Sequence, residues 1–229
     1  MQKQYVRRLF DSIAYRYDLL NHLLSGGIDF YWRRAAIETL ASRKPKHILD
    51  VATGTGDFAI AALRLNPTEV IGVDISMPML EVGRRKLSAR KLESTIRLEA
   101  GEAEHLQFPD HRFDAAIVAF GVRNFENLEA GLTEMRRVLK HGGKILVLEF
   151  SKPRLFFFKQ FYFFYFRNIL PLVGRMISKD NEAYRYLPDT VMKFPDGDDF
   201  VNIVKRAGFS SITQQPLTFG IATIYCGEK

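Results

Sequence analysis

The sequence predicts an α/β fold, a doubly wound and mostly parallel seven-stranded sheet beneath a helical cap. Three observations carry that expectation. Short apolar runs alternate with helical patterns through the first 150 residues, as successive strand–helix–strand units require. The first run, HILDVA (47–52), feeds directly into a glycine-rich turn, TGTGD (53–57). Two β-rich runs, SSITQQPLTFG (210–220) and IATIYCGE (221–228), end the sequence as a hairpin and give the sheet an antiparallel edge.

The elements follow in order. Residues 1–40 are rich in helical pattern and form an N-terminal cap. The core, 41–150, begins with the first strand and the helix DFAIAALRL (57–65), then the second strand EVIGVDI (69–75). Ser76 caps a helix that carries Pro78 in its first turn and runs through MLEVGRRKLSAR (79–90). TIRLEAG (95–101) and FDAAIVAFG (113–121) are the third and fourth strands. NLEAGLTEMRRVLK (127–140) has apolar residues at helical spacing, and His141-Gly142-Gly143 ends it before the fifth strand, KILVLEF (144–150). Residues 151–195 are an insertion, and DGDDFVNIVKRAGF (196–209) is an amphipathic helix closed by Gly208. A length of 229 residues fits one domain built this way.

Composition narrows the partners. One cysteine, Cys226, leaves neither an intrachain disulfide nor a cysteine metal cluster. His47, His105 and His111 lack metal-ligand spacing, so no metal is expected. The N-terminal run MQKQYVRRLFDSIAYRYD has no apolar signal region, which places the expected site of action in the cytoplasm. The net charge of +7 fits nucleic acid, an anionic membrane surface or an anionic substrate. Its distribution favours the second: from Phe150 to Lys179 there are six basic residues and no acid. Inside that span, nine aromatic residues fall between Phe156 and Phe166. Aromatic bulk mixed with cations suits an interfacial helix on the inner face of the membrane or a tunnel for a greasy ligand. A core helix and a platform for stacked bases are the alternatives. Oligomeric state is not readable, and a homodimer stays open.

The cofactor end is more specific. Gly54 and Gly56 let the backbone turn tightly and approach a ligand closely. Asp74, eighteen positions after Gly56, ends the second strand beside Ile75, where a carboxylate accepts ribose hydroxyls. GTGDFA (54–59) satisfies even the loose dinucleotide spacing, so the loop alone does not separate NAD from S-adenosyl-L-methionine. The acids do. Asp50 faces the turn and Asp57 follows it; two carboxylates repel a pyrophosphate and welcome a sulfonium. Glu102 and Ala103, after the third strand, are placed to flank an adenine. The competing reading makes Asp50 a turn cap.

LDVATGTGD (49–57), GVDIS (72–76), GEAEHLQFPDHRFD (101–114), AFGVRNFEN (119–127) and RVLKHGGKILVLEFSKP (137–153) together resemble the class I, Rossmann-like methyltransferases of menaquinone and ubiquinone biosynthesis. YRYDLLNHLLSGGIDFYWRR (15–34) and NEAYRYLPDTVMKFPD (181–196) resemble the same family, so the likeness spans nearly the whole chain. It implies S-adenosyl-L-methionine as cofactor, with contacts at Thr55, Asp74, Glu102, Ala103 and Ala119. It also implies methylation of a ring carbon of a prenylated quinol: demethylmenaquinol to menaquinol, or the equivalent benzoquinol step. Where the family often has Asn or Asp the chain has Glu102, and where it often has Ser the chain has Ala119, which removes a hydroxyl contact.

The fourth strand delivers Gly121, expected to bend the backbone, and then Arg123 and Asn124. A ring carbon attacks only when the adjacent hydroxyl has lost its proton. Arg123 would hold the resulting oxyanion by a charge-assisted hydrogen bond, and Asn124 would orient it. Tyr17 is the candidate polar partner above the ring, and Tyr184, Arg185 and Tyr186 close the other side. The alternative makes Arg123 and Asn124 a salt-bridged turn and a helix cap. Nucleic-acid methylation lacks its usual signatures here, an (N/D/S)-P-P-(Y/F) motif or a motif cysteine, and no nucleic-acid partner is expected. A non-catalytic subunit of quinone biosynthesis is the third alternative.

Overall fold

The computed structural model describes residues 2–153 and 181–229. Helices α1 (Gln2–Ile13), α2 (Tyr17–Leu24) and α3 (Ile28–Glu38) precede the sheet. Strands β1 (His47–Val51), β2 (Glu69–Asp74), β3 (Ile96–Ala100), β4 (Phe113–Ala119) and β5 (Leu139–Phe150) alternate with helices α4 (Asp57–Ala62), α5 (Met77–Ala89) and α6 (Leu128–Val138). Helices α7 (Asn181–Lys193) and α8 (Asp198–Arg206) lead to β6 (Ser210–Leu217) and β7 (Ala222–Glu228).

The seven strands are ordered β3-β2-β1-β4-β5-β7-β6. The first five pair in parallel; β7 runs antiparallel between β5 and β6. This is the expected sheet, and the C-terminal hairpin enters it by its second strand. Parallel strands are covered on both faces, which is why they read as continuous apolar runs. Leu49 and Val51 of β1 face a core shared with Leu132 and Met135 of α6 and Phe200 and Val204 of α8. Ile48 faces the opposite core, with Trp32 and Ile37 of α3, Phe58 of α4 and Leu80 of α5.

Local signals place the helix ends. Ser76 caps α5 by accepting the Met79 N–H, as expected. Asn127, not Asn124, caps α6, its Oδ1 accepting the Ala130 N–H at 3.0 Å. The helix expected over 127–140 stops at Val138, and β5 starts at Leu139, five residues before the expected strand. Gly142 and Gly143 do not interrupt the strand. They sit in an irregularity where the β4–β5 register shifts, with Gly142 at φ 73°. Most of the insertion, including the aromatic run from Phe156 to Phe166, lies outside the described residues.

Candidate active site

β1 lies between β2 and β4, where the winding of the sheet reverses and doubly wound folds hold their ligands. A cleft opens there under α1, between the ends of β1, β2 and β4 and the side chains of Lys3, Val6 and Phe10. Its floor is strained backbone. Ala52 and Phe120, the residues just past β1 and β4, both line it and hold positive φ, 54° and 56°. Such a conformation costs a non-glycine residue ~1–3 kcal/mol and is kept where function needs it. The bend expected at Gly121 is therefore at Phe120. Gly121 has an ordinary φ of −111°, and its use is proximity: an added Cβ would stand 2.7 Å from the Ala52 Cβ.

The cofactor side is built from strand ends. Gly54 and Gly56 hold φ of 57° and 83°, open to glycine at little cost. Asp74 accepts the Gly54 N–H through Oδ2 and the Ser76 N–H through Oδ1, each at 2.8 Å. A carboxylate has about four acceptor positions, so these bonds fix its plane and still leave acceptor capacity for hydroxyls. Burial pushes the Asp74 carboxyl up, against the backbone N–H groups that favour its anion. Gly54, Asp74, Ile75, Ala103 and Ala119 all line the cleft.

Four expected cofactor residues stand around the cleft without lining it. Asp50 is buried behind the turn, where its Oδ2 accepts the Thr53 hydroxyl at 2.5 Å. Burial pushes its carboxyl up to about 7, and its Oδ1 is buried with no partner among the described groups. The Thr55 hydroxyl turns to Asp18 on α2, at 2.5 Å. Gly56 packs toward Leu98. The Glu102 carboxylate is half-exposed and bound by Lys3 at 2.6 Å, while Glu104 takes a place in the lining. Asp57, expected to share in attracting a cation, is instead neutralised by Lys86 at 2.6 Å. The electrostatic argument from two carboxylates at the turn thus reduces to the buried Asp50 and to Asp74.

The cleft is also lined by Tyr17, Asn124 and Phe125, and Tyr17 stands against Gly54, its Cε1 3.9 Å from where a Cβ on that glycine would lie. The Tyr186 hydroxyl donates to Asn124 Oδ1 at 2.9 Å, which brings α7 to the turn after β4. Tyr184 and Arg185 lie on the same helix, with side chains outside the described set. Arg123 does not line the cleft. Its Nη1 donates to Glu149 Oε1 at 2.7 Å and to the Phe120 carbonyl, and its Nε is buried without a partner among the described groups. The guanidinium is a buried ion pair just below the cleft, so the salt-bridged turn is present. Its field still reaches both tyrosines: burial pushes the Tyr17 and Tyr186 phenols up, and the Arg123 charge opposes that in each.

The cap is tied to the loop after each of three strands. Asp18 holds Thr55 and Lys86, Asp11 accepts the Ser76 hydroxyl at 2.6 Å, and Lys3 pairs with Glu102 and Glu104. No local pattern marks Lys3, Asp11 or Asp18 for these roles. Glu149 did leave one, a single acid in the apolar run ILVLEF, since a buried carboxylate is kept only with a partner.

A seven-stranded sheet with one antiparallel strand, and a cleft edged by a glycine turn and a strand-end carboxylate, define a class I methyltransferase. The residues suit S-adenosyl-L-methionine: Asp74 keeps acceptors for hydroxyls, Gly54 leaves room for close approach, and Ile75 and Ala103 offer apolar edges for a flat base. Along residues 1–229 the sequence matches the ubiE/COQ5 methyltransferase family, and the chain belongs to that family. S-adenosyl-L-methionine is its cofactor and quinone biosynthesis its setting. It is 48% identical over 229 residues to a demethylmenaquinone methyltransferase of Bacteroides fragilis, a match covering 100% of this chain and 94% of that one. It is 45% identical over 226 residues to the ubiquinone/menaquinone biosynthesis C-methyltransferase UbiE of Geotalea daltonii, covering 98% and 96%. A solved SAM-dependent methyltransferase of Thermotoga maritima superimposes with a TM-score of 0.68 at 18% identity, covering 97% and 99% of the two chains. The [4+2]-cyclase SpnF superimposes equally well, with a TM-score of 0.68 at 17% identity over 99% and 96%. Likeness at that distance carries the fold and not the reaction.

Proposed function

We propose that the protein methylates a ring carbon of a prenylated quinol, converting demethylmenaquinol to menaquinol. The observation that carries this reading is the polar cluster at the end of β4. Asn124 and Tyr17 line the same cleft as Asp74, with Tyr186 bound to Asn124 and the Arg123 cation paired to Glu149 next to them. S-adenosyl-L-methionine supplies an electrophilic methyl group on a sulfonium centre. The chain's own residues prepare the acceptor. A quinol hydroxyl placed against Asn124 and Tyr17 is held by donors and acceptors already ordered by their neighbours. The Arg123 field favours its ionised form, with the proton passing to solvent at the cleft mouth. The ionised oxygen makes the adjacent ring carbon nucleophilic, and after that carbon takes the methyl group its own proton leaves to solvent and the hydroxyl is restored. Donors aimed at a developing oxyanion are worth ~10²–10³ in rate each.

Two relatives from Bacteroides and Porphyromonas carry the name demethylmenaquinone methyltransferase, at 48% and 41% identity, and favour the naphthoquinol ring. The UbiE relatives also carry ubiquinone in their name, so the benzoquinol is the second reading. Incubation with methyl-labelled cofactor and short-chain forms of both quinols tests the pair. Label on a ring carbon of the naphthoquinol is expected; label confined to oxygen rejects the reaction, and exclusive labelling of the benzoquinol selects the second reading.

The substrate tail belongs in a bilayer, and we assign the cytoplasmic approach to it to the cap. Leu19 and Leu23 lie one turn apart on α2 and are exposed, as are Tyr15, Phe30 and Tyr31. His22 stacks on Phe30 with ring centroids 4.2 Å apart, so α2 and α3 share this apolar face. The four acids of residues 1–40 are all engaged, by Ser76, by Thr55 and Lys86, by Arg33 and by Arg34. Residues 1–40 carry six Lys and Arg against four Asp and Glu, so the cap offers an anionic membrane apolar bulk with a small net positive charge. Flotation with anionic vesicles should recover the wild type and lose a Leu19→Ser/Leu23→Ser/Phe30→Ser variant; equal recovery rejects this face.

A further inference from the structure

Glu149 stands in β5 with no exposed side-chain surface. Its carboxylate accepts three N–H groups: Arg123 Nη1 at 2.7 Å, the Phe150 backbone at 2.8 Å and the Arg123 backbone at 3.4 Å. The Arg123 side chain is 6% exposed, its guanidinium carbon 5.4 Å from the centre of the Phe150 ring. Both charges are thus out of water, at the turn whose next residue, Asn124, lines the cleft. Among the described residues, the other ionisable groups that feel this pair are Tyr17 on α2 and Tyr186 on α7, which feel the guanidinium, and Tyr225 on β7, which feels the Glu149 charge.

A lone buried guanidinium beside the substrate would bind any oxyanion strongly in the ground state. Ground-state binding of that kind does not speed the chemical step. It also draws electron density toward oxygen and away from the carbon that must attack. An acid paired with the cation divides its field between two anions. Glu149 does not line the cleft and its side-chain partner is Arg123, so it acts through that cation.

Building on the quinol reading, we propose that Glu149 is a positioning residue that aims the Arg123 guanidinium and weakens its hold on the quinol oxyanion. The pair then favours ionisation of the hydroxyl while leaving the ring electron-rich. Glu149→Gln keeps the shape and a carbonyl acceptor for Arg123 but removes the charge. The guanidinium becomes uncompensated, and its attraction for an anion in the cleft rises.

The probe is 4-nitro-1-naphthol, a ring phenol that colours on ionisation, titrated on the protein with S-adenosylhomocysteine present. In Glu149→Gln the bound probe should ionise about one pH unit or more lower than on the wild type, as removal of a buried charge that compensates a neighbouring cation implies. The naphtholate should bind about tenfold or more tightly, and kcat with quinol should fall while KM does not rise. A merely structural residue predicts the opposite, weaker binding of probe and substrate together. Glu149→Asp, which keeps the charge, should ionise the probe near the wild-type pH, and it serves also if the Gln variant does not fold. Calorimetry with S-adenosylhomocysteine, unchanged in both variants, shows that the cofactor side is intact. Unchanged probe ionisation in Glu149→Gln, or a shift as large in Glu149→Asp, overturns the role given to Glu149. If the wild type neither binds the probe nor changes its ionisation, the quinol reading fails instead.

Discussion

Removing Arg123 tests both the architecture of the site and its electrostatics. In Arg123→Met the Glu149 carboxylate loses its strongest donor while remaining in a strand where it has no exposed surface. Breaking a buried pair by removing one partner costs ~3–5 kcal/mol, because the other charge is left uncompensated. The N–H groups of Phe150 and residue 123 stay in place, which favours the lower end of that range. For a chain of this size each kcal/mol moves Tm by about 2–4 °C, so the expected fall is about 6–20 °C.

The loss must depend on pH, and its sign is fixed. Burial already holds the Glu149 carboxyl above its ordinary value, and the Arg123 charge opposes that. Without Arg123 the folded value rises further, so the native state binds more protons than the unfolded one between the two values. Stability of the variant then falls as pH rises from the unfolded carboxylate value through the folded one. Urea unfolding at about pH 5 and about pH 8 should show the larger deficit at the higher pH. An Arg123→Met/Glu149→Leu double variant has no charge to bury and should regain most of the wild-type midpoint, since apolar replacement of a buried pair is often neutral or stabilising. It should fold, bind S-adenosylhomocysteine and fail to methylate. A single variant that unfolds at the wild-type midpoint at both pH values would refute the reasoning. So would a double variant with wild-type turnover, which would remove the cation from the chemistry.

Three further outcomes are expected. Asp74→Asn removes the charge between two backbone donors and presents an NH₂ where one needs an acceptor; calorimetry should show S-adenosylhomocysteine bound about 10–100-fold more weakly, the ~1.5–3 kcal/mol of a charged hydrogen bond, and an unchanged Kd would exclude Asp74 from the site. Gly83→Ala puts a Cβ 2.6 Å from Leu98 Cδ1 and 3.0 Å from the Thr55 carbonyl oxygen; overpacking of ~1–3 kcal/mol exceeds the ~1 kcal/mol gained in helix propensity, so thermal unfolding should move down, and a rise in Tm would show that the helix simply shifts. For Asp29, burial is outweighed by the Ser25, Arg33 and His22 contacts, and its carboxyl is held below its ordinary value; its stabilisation is present above the unfolded value and lost as pH falls through the folded one, so Asp29→Asn should flatten the acid limb of the stability profile, and an identical limb would assign acid lability elsewhere.

What could be read in the sequence follows from how local each signal is. Gly54 and Gly56 are demanded by their own φ, and Asp74 by its place at a strand end, so residue type alone marks them. Ser76 announces its helix by the N–H three residues on. The bend at Phe120 was assigned to Gly121, because a glycine signals either an unusual φ or a close approach and the sequence does not say which. Here it is the approach to Ala52. The end of α6 was missed for a related reason: Gly142-Gly143 reads as a turn, yet the strand absorbs it as an irregularity.

Charges failed in another way. A side chain's type gives its sign but not its partner, and the partners here lie 37, 65 and 99 positions away, as with Thr55 and Asp18, Ser76 and Asp11, and Glu102 and Lys3. Asp57 and Glu102 therefore read as cofactor-facing acids from their positions alone, whereas lysines of α5 and α1 pair with them, Lys86 being shared with Asp18. Arg123 was read as a free cation for the same reason. The countersignal was present in ILVLEF, because a carboxylate in a strand whose other members are apolar must meet a cation from a neighbouring strand end. β4 is that neighbour: Ala119 lies opposite Leu148, which brings the turn after Ala119 beside Glu149. Pairing the charges of adjacent parallel strand ends before assigning any of them to a ligand would have placed Arg123 in its ion pair. Asp74 and Asn124, whose side-chain partners are neutral backbone N–H groups and the Tyr186 hydroxyl, are the groups left to face the cleft.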